Sequence, residues 1–223
     1  MKKLSIVVVL LAASSTSFSQ INLNKLTLQL GFGIQQYSGD LGNGFYDFSQ
    51  TTYGVGIISL NYELNNSFDL KVMNTIGDLG YCQPEWKKEF FAMNRPHVDG
   101  EAHIHGKLPE EENLNSRMVS GIVGMKYKFA NDYLLPTSSY LKPYVYLAAG
   151  INRITDIMKM KCVNPGNYVS VNWGTGFDCE VFKRIDVGAS FSFGKFSSDA
   201  LDFVKKGGND MYMQNSILLG FKL

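Results

Sequence analysis

The sequence contains few cysteines, few prolines and no long hydrophobic run. Three cysteines in 223 residues exclude a scaffold built on disulfides. Six prolines leave room for many uninterrupted strands. No segment reaches the roughly 18–20 apolar residues that a membrane-spanning helix needs. The 21 basic and 20 acidic residues leave a net charge of +1, which gives no electrostatic case for binding nucleic acid.

The residue types that are abundant favour strands. The chain has 15 Phe, 12 Tyr and 22 Gly, and 45% of its residues are hydrophobic. Aromatic residues are enriched in strands, whereas the charged fraction of 18% is low for a protein whose whole surface meets water. The length allows one domain or at most two. We therefore expect an all-β protein.

The first nineteen residues have the pattern of a secretory signal peptide. Lys2 and Lys3 precede an apolar run from 4 to 13, and Ser17 and Ser19 fit the small-x-small cleavage rule. We predict a signal peptide at 1–19 and a mature domain at 20–223 that begins with Gln20. A buried N-terminal helix is the alternative. No cysteine stands at the cleavage point, so a lipoprotein is not expected, and the mature chain should work where disulfides persist.

Apolar and polar residues alternate along eight segments, as they do in strands with two different faces. In the first, Leu28 and Leu30 share one face while Gln29 and Gly31 share the other. The second is less regular because Ile57 falls on the polar face, which predicts a β-bulge there. The alternating rows cover about 25–36, 52–64, 68–80, 119–129, 141–152, 169–181, 185–194 and 216–223. The longest connections between the predicted strands are 81–113, 153–167 and 195–210, and Ser116 stands at the start of the fourth strand.

The connections between these strands are long and short in turn. The even number of strands and the long loops at one rim are typical of an outer-membrane barrel. Both termini would then lie on the periplasmic side and four long loops outside the cell. A soluble lipocalin-like barrel would bury the same apolar rows. Small residues in the polar rows and aromatic residues at strand ends favour the membrane barrel: Tyr62, Phe68, Tyr127, Phe129 and Phe221.

Four segments resemble the OmpA-like eight-stranded outer-membrane barrels of the Bacteroidota: Tyr37-Ser38-Gly39-Asp40-Leu41-Gly42, Asn66-Ser67-Phe68-Asp69-Leu70, Leu141-Lys142-Pro143-Tyr144 and Asn209-Asp210-Met211-Tyr212. The resemblance covers essentially all of the mature chain and implies a single all-β, eight-stranded antiparallel up-and-down transmembrane barrel. Members of this family often continue into a peptidoglycan-binding domain. This sequence stops at Leu223 without one, so peptidoglycan anchoring is not expected.

Eleven charged residues fall on the polar rows, close to the predicted periplasmic rim. In a lumen only wide enough for side chains, they must pair or meet trapped water. We expect a structural plug, with a gated ion path as the alternative. Lys71 is the expected partner of Glu63 and Asp69, and Arg184 that of the acids on strands six and seven. The predicted network contains Glu63, Asp69, Lys71, Lys126, Lys128, Lys142, Asp178, Glu180, Arg184, Asp186 and Lys222.

Two loops contain weaker candidates for binding sites. His97, His103 and His105 lie in the longest loop and could hold a metal ion, but such spacing is common by chance and no metal site is predicted. Cys82 and Cys162 fall in predicted extracellular loops, where a disulfide could join them. Cys179 lies on an apolar row and should behave as a small hydrophobic residue.

Catalysis has little support in the sequence. A nucleophilic mechanism needs a serine beside a histidine and a carboxylate, yet no predicted strand carries a histidine. Ser116 is the nearest nucleophile to the histidine loop. No cofactor motif is present. We predict a non-catalytic outer-membrane protein that acts through its loops or as a subunit of an envelope complex. A narrow porin-like channel and a lipid-modifying enzyme are the alternatives. Its expected partners are outer-membrane lipid, lipopolysaccharide and other outer-membrane proteins, but not nucleic acid.

Overall fold

The computed structural model describes residues 22–38, 45, 53–82, 113–156, 165–197 and 210–223. A single 3-10 turn, Leu23–Lys25, is capped by the side chain of Asn22 and leads into the first strand. No helix in these ranges is long and apolar enough to cross a membrane. The described strands are β1 (Leu26–Ser38), β2 (Tyr53–Glu63), β3 (Phe68–Cys82), β4 (Asn113–Lys128), β5 (Leu141–Asp156), β6 (Gly166–Phe182), β7 (Ile185–Phe196) and β8 (Met211–Lys222).

The eight strands form one closed barrel in chain order, and every neighbouring pair is antiparallel. The first and last strands complete the closure, with partners running from Thr27 opposite Lys222 to Ser38 opposite Met211. Closure pairs the backbone groups of both edge strands, so the sheet has no free edge. The predicted fold class is confirmed.

The bulge predicted in β2 is wrong. The register between β2 and both of its neighbours is continuous, and Ile57 pairs with Gly31 on one side and with Thr75 on the other. The Ile57 side chain points into the lumen and is buried. It broke the expected pattern because part of the lumen is apolar. Among the described strands, the one register shift lies between Glu180 and Phe182 at the end of β6.

The apolar rows face outward over most of the barrel height. Leu147 is 62% exposed and Phe32 is 70% exposed, although both are large and hydrophobic. A soluble barrel would turn these rows inward, so the lipocalin-like alternative is wrong. We call this outer surface the apolar belt, and its exposed members include Leu30, Phe32, Ile34, Ile58, Leu60, Leu70, Ile76, Val119, Val123, Met125, Val145, Leu147, Ile151, Val169, Val171, Phe177, Phe191, Ile217 and Leu219.

The two ends of the barrel differ in their connections. The end at which β1 begins and β8 ends also has the connections 64–67, 129–140 and 183–184, and we call it the turn end. Asn65 shapes the first of these turns by accepting hydrogen bonds from the backbone N–H groups of Ser67 and Phe68. On the outer surface nearby, Phe68, Tyr127 and Phe129 form a row of aromatic contacts, with ring centroids 5.2 and 5.4 Å apart. The opposite end is called the loop end.

At the loop end, polar side chains face outward and apolar side chains face the lumen, which is the reverse of the arrangement at the turn end. Polar side chains such as Arg117 and Asp78 point outward there and form an ion pair at 3.0 Å. Apolar side chains point inward and are buried. Seven strands each contribute one residue to this group, which we call the loop-end cluster: Tyr37, Leu79, Met118, Ile154, Tyr168, Phe196 and Tyr212. Above the apolar belt, the barrel therefore has the inside and outside of a water-soluble protein.

Candidate functional site

Ten of the eleven charged residues predicted for the lumen do face it, at the turn end. They come from β2 through β8, because inward positions recur at every second residue and the strand ends meet at one level. We call them the charge layer: Glu63, Asp69, Lys71, Lys126, Lys128, Lys142, Asp178, Glu180, Asp186 and Lys222. Five carboxylates and five ammonium groups make the layer formally neutral.

Lys126 is the most deeply buried of the lysines in the charge layer that form an ion pair. Its Nζ is 2.6 Å from Asp178 and 3.9 Å from Asp69, so that one cation links carboxylates on β3 and β6. The same Nζ lies 4.1 Å from the centre of the Tyr144 ring. Burial of a charge is tolerated when an opposite charge and hydrogen bonds replace water. Lys126 satisfies that condition from three sides.

The remaining pairs alternate in sign around the lumen. Lys128 Nζ lies 2.7 Å from Asp69 and 3.7 Å from Glu63. On the other wall, Lys222 lies 2.9 Å from Glu180 and 3.3 Å from Asp186.

A second lysine also reaches Glu180. Lys142 approaches it at 3.0 Å. Among the described residues, each carboxylate of the layer therefore has at least one lysine within 4.0 Å.

Lys71 does not pair as the sequence suggested. Its side chain is 2% exposed, and no carboxylate of the described residues lies within 4.0 Å of its Nζ. Instead the ammonium lies 5.2 Å from the ring centre of Tyr146 and 5.9 Å from that of Tyr144. The expected pairing with Glu63 and Asp69 is wrong because Lys128, one strand further round, takes both carboxylates.

Arg184 lies outside the charge layer. It belongs to the turn at 183–184 and is exposed, and none of the ion pairs between described residues includes it. The chain reverses direction here just before β7 begins at Ile185, so this side chain leaves the alternation that directs strand residues inward. Lys142 and Lys222 take the place that the sequence analysis gave to Arg184.

Two uncharged residues extend the layer and were not predicted. The Gln29 side-chain amide donates a hydrogen bond to Asp178 at 3.2 Å. The Asn61 side-chain amide donates to Oε1 of Gln29 at 2.9 Å. Both occupy inward positions of their strands, so the alternation could have identified them. A cavity of about 170 Å³ is lined by these amides, by Lys25 and Thr27, and by every member of the charge layer except Lys71 and Glu180.

Above the charge layer, larger side chains fill the lumen. A middle cluster occupies the next level: Val55, Ile57, Met73, Ile122, Tyr144, Tyr146, Ala148 and Leu218. The Tyr146 ring fits because its partner on β6 is Gly174, where a Cβ atom would come within 2.7 Å of the ring. The loop-end cluster follows. Among the described residues, side chains therefore occupy the lumen at both levels beyond the charge layer.

A polar network separates these clusters on one side of the lumen. Asn152 donates to Ser170 Oγ at 2.7 Å, and Ser120 donates to Asn152 at 2.6 Å. The Tyr212 hydroxyl, which belongs to the loop-end cluster, donates to Asn172. These bonds supply partners for polar groups that the lumen shields from water.

The weaker candidates from the sequence have different positions. Ser116 is fully buried, and its Oγ donates to the backbone oxygen of Leu79 at 3.0 Å. Cys179 faces outward, is partly exposed and carries a free thiol. The other candidates, including the side chain of Cys82, lie outside the described residues: His97, His103, His105, Cys82 and Cys162.

Comparison with known proteins identifies the architecture but not the family. No protein family model and no curated protein matches the chain. The structure of Neisserial surface protein A is 15% identical with a TM-score of 0.56, over 89% of this chain and 97% of that one. The outer membrane protein OprG from Pseudomonas aeruginosa is 10% identical, with a TM-score of 0.48 over 89% and 95% of the two chains. Yersinia pestis Ail, in complex with sucrose octasulfate, is 13% identical, with a TM-score of 0.47 over 88% and 96%. The likeness to Neisserial surface protein A confirms the predicted barrel fold, and at this identity the chain shares that fold alone.

Proposed function

We propose that the mature chain, residues 20–223, is a non-catalytic integral barrel of the outer membrane whose lumen does not conduct. The observation that supports this function is the combination of an apolar belt with a filled lumen. The belt gives a favourable exterior only in lipid. The middle and loop-end clusters occupy the path that a channel would need, so activity is assigned to the exposed loops or to contacts with other envelope proteins.

The proposed orientation places the turn end in the periplasm and the loop end outside the cell. Short turns on the periplasmic side and longer loops on the outer side are the general arrangement of these barrels. The charge layer then meets the periplasm. A cysteine introduced at Ser138 in the turn 129–140 should react with a membrane-impermeant maleimide only after the outer membrane of intact cells is opened. Labelling before that step would reverse the orientation.

Outer-membrane lipid, including lipopolysaccharide, is the proposed partner of the outer surface. Arg117 and Arg153 point outward on adjacent strands, directly beyond the apolar belt. Asp78 holds Nε of Arg117, which leaves the other N–H donors of that guanidinium for a phosphate oxygen. This position is the level at which lipid headgroups meet a barrel whose belt lies in the hydrocarbon.

Conductance separates the proposed function from the channel alternative. Purified mature protein that shows the heat-modifiable migration of a folded barrel should insert into planar bilayers with little steady current. A stable, large conductance would establish the channel instead. Release of fatty acid from, or its transfer to, lipid A or phospholipid by the wild-type barrel would establish the enzyme alternative.

A further inference from the structure

One polar side chain of the apolar belt is both exposed and without a hydrogen-bond partner among the described residues. Asn74 points outward from β3 between Val72 and Ile76, and it is exposed. No described residue forms a hydrogen bond with its amide. If the belt lies in lipid, as the proposed function requires, the donors and acceptor of this amide have no water to bind. An amide without partners in hydrocarbon carries a substantial free-energy cost.

Another polar group of the belt shows how that cost is usually avoided. Thr175 also faces outward, on β6, but its hydroxyl donates to the backbone oxygen of Tyr144 on the neighbouring strand at 3.0 Å. Asn74 has no comparable bond within the described part of the barrel. Its amide is therefore available to a group from outside the barrel.

The surface around Asn74 is shallow. Gly121 on β4 pairs with Asn74 directly, and a Cβ atom at Gly121 would lie 3.4 Å from the Asn74 carbonyl oxygen. On the other side, Gly56 of β2 pairs with Ile76, and Gly54 has no atom near its missing Cβ position. These are the outward glycines of the belt on the described strands, and they lie on the two strands that flank β3.

Large apolar side chains border this surface. Ile58 pairs with Asn74 across β2 and is 54% exposed, and Ile76 is 55% exposed. The result is a groove with the Asn74 amide and the Gly121 backbone at its floor. Ile58 and Ile76 form its rim, and Gly56 lies beyond that rim beside Ile76. Within lipid, small residues let two surfaces approach closely, and side-chain amides form hydrogen bonds across the contact.

We propose that this groove binds a second copy of the same chain in the membrane. A primary amide carries both donors and an acceptor, so it is complementary to itself. A two-fold axis beside Asn74 would bring the two Asn74 amides together and satisfy each with the other, as isologous interfaces do. The rim isoleucines of each copy would pack over the glycines of its partner. The inference rests on the proposed function, because in water the amide would need no partner.

Self-association in lipid vesicles tests the proposal. Two populations of full-length mature protein, labelled with donor and acceptor dyes, are reconstituted in vesicles, and energy transfer is followed as lipid dilutes the protein. Wild-type protein should show a saturable dimer curve. Asn74→Val should weaken association by about tenfold, since it removes both amides from the interface. Gly121→Leu should abolish it by filling the groove.

Asn215→Val is the matched control. Asn215 is the other asparagine that faces outward at the level of the belt, and its Oδ1 is buried without a hydrogen-bond partner among the described residues. It lies between the large residues Ile34 and Phe191 rather than among glycines. Association of this variant should equal that of wild type. A wild-type barrel that folds and stays monomeric at every density, or an Asn74→Val barrel that dimerises normally, would overturn the dimer. Failure of wild type to fold in vesicles at all would instead overturn the proposed function.

Discussion

The two halves of the barrel solve the same packing problem with opposite chemistry. At the turn end, the lumen contains ion pairs such as Lys126 with Asp178, and the outer surface is apolar. At the loop end, the lumen contains Leu79 and Phe196, and the outer surface carries charged residues such as Arg117. The alternation along each strand continues without a break, while the polarity of the two faces is exchanged between the ends of the barrel. Between these ends lies the middle cluster, where the inner face is apolar as well as the outer one.

The difference shows that the surroundings determine which face is apolar. A strand within the bilayer faces hydrocarbon on its outer side, so the hydrophobic effect does not drive apolar side chains inward. Beyond the bilayer, the outer face meets water and apolar residues are again most stable inside. The level at which the faces exchange, between Val119 and Arg117 on β4, therefore marks the proposed edge of the hydrocarbon.

The largest effect is expected when the charge layer loses its most buried ion-paired cation. Lys126→Met would leave Asp178 in the lumen without its 2.6 Å partner and Asp69 with Lys128 alone. Breaking a buried ion pair on one side should cost about 4 kcal/mol. The free energy of unfolding, from urea titration in detergent micelles, measures it.

A double variant shows, in the same titration, whether the lost stability comes from the broken ion pair or from the lost packing of the Lys126 side chain. The double variant Lys126→Met with Asp178→Asn removes the charge that the single variant leaves unpaired, so most of the lost stability should return. Strictly additive costs in the two variants would show that the pair is not the source of the effect.

The loop-end cluster should respond to volume rather than to charge. Leu79→Ala would leave a void beside Met118 and Ile154, where all three side chains are almost fully buried. Such a truncation should cost about 3 kcal/mol. Leu79→Met, which nearly keeps the volume, should cost less than about 1.5 kcal/mol in the same urea titration. Equal costs for both variants would argue against tight packing at this end.

The same change in which face is apolar explains how much of the fold could be predicted from the sequence. Number, order and pairing of the strands were predictable because apolar outward rows mark each strand within the belt. Some predicted strands were too short at the loop end: β5 ends at Asp156 rather than near residue 152, and β7 at Phe196 rather than near residue 194. Beyond the belt the apolar residues change face, and a search for one continuous apolar row stops there.

The charge layer was predictable as a set but not in its pairs. Inward positions near the strand ends identified all ten of its members, since period two alone decides which way they point. Which lysine reaches which carboxylate depends on the stagger of neighbouring strands. Because of that stagger, Asp69 forms ion pairs with Lys126 and Lys128. The Lys71 ammonium lies over the Tyr146 ring instead. The prediction for Arg184 was wrong for a different reason. Arg184 lies in a turn, where side chains do not alternate between the two faces of a strand.

The smallest effects should distinguish the edge of the charge layer from the turn beside it. Lys222 contacts Glu180 and Asp186 but is one-third exposed, so water and salt weaken both ion pairs. Lys222→Met should cost about 1 kcal/mol in the free energy of unfolding at low salt. Raising the salt concentration to about 1 M should reduce that cost, because the Debye length falls to about 3 Å.

Arg184→Ala is the comparison variant at the same end of the barrel. Its side chain is exposed, and it pairs with no carboxylate of the described residues. Replacement should change the free energy of unfolding by less than about 0.5 kcal/mol at either salt concentration, as is usual for exposed positions. A larger loss for Arg184→Ala than for Lys222→Met would place the arginine inside the charge network, and the geometry of the turn at 183–184 would then have to differ. The order Lys126, Lys222, Arg184 thus measures how the contribution of a charge falls from the buried lumen to the exposed turn.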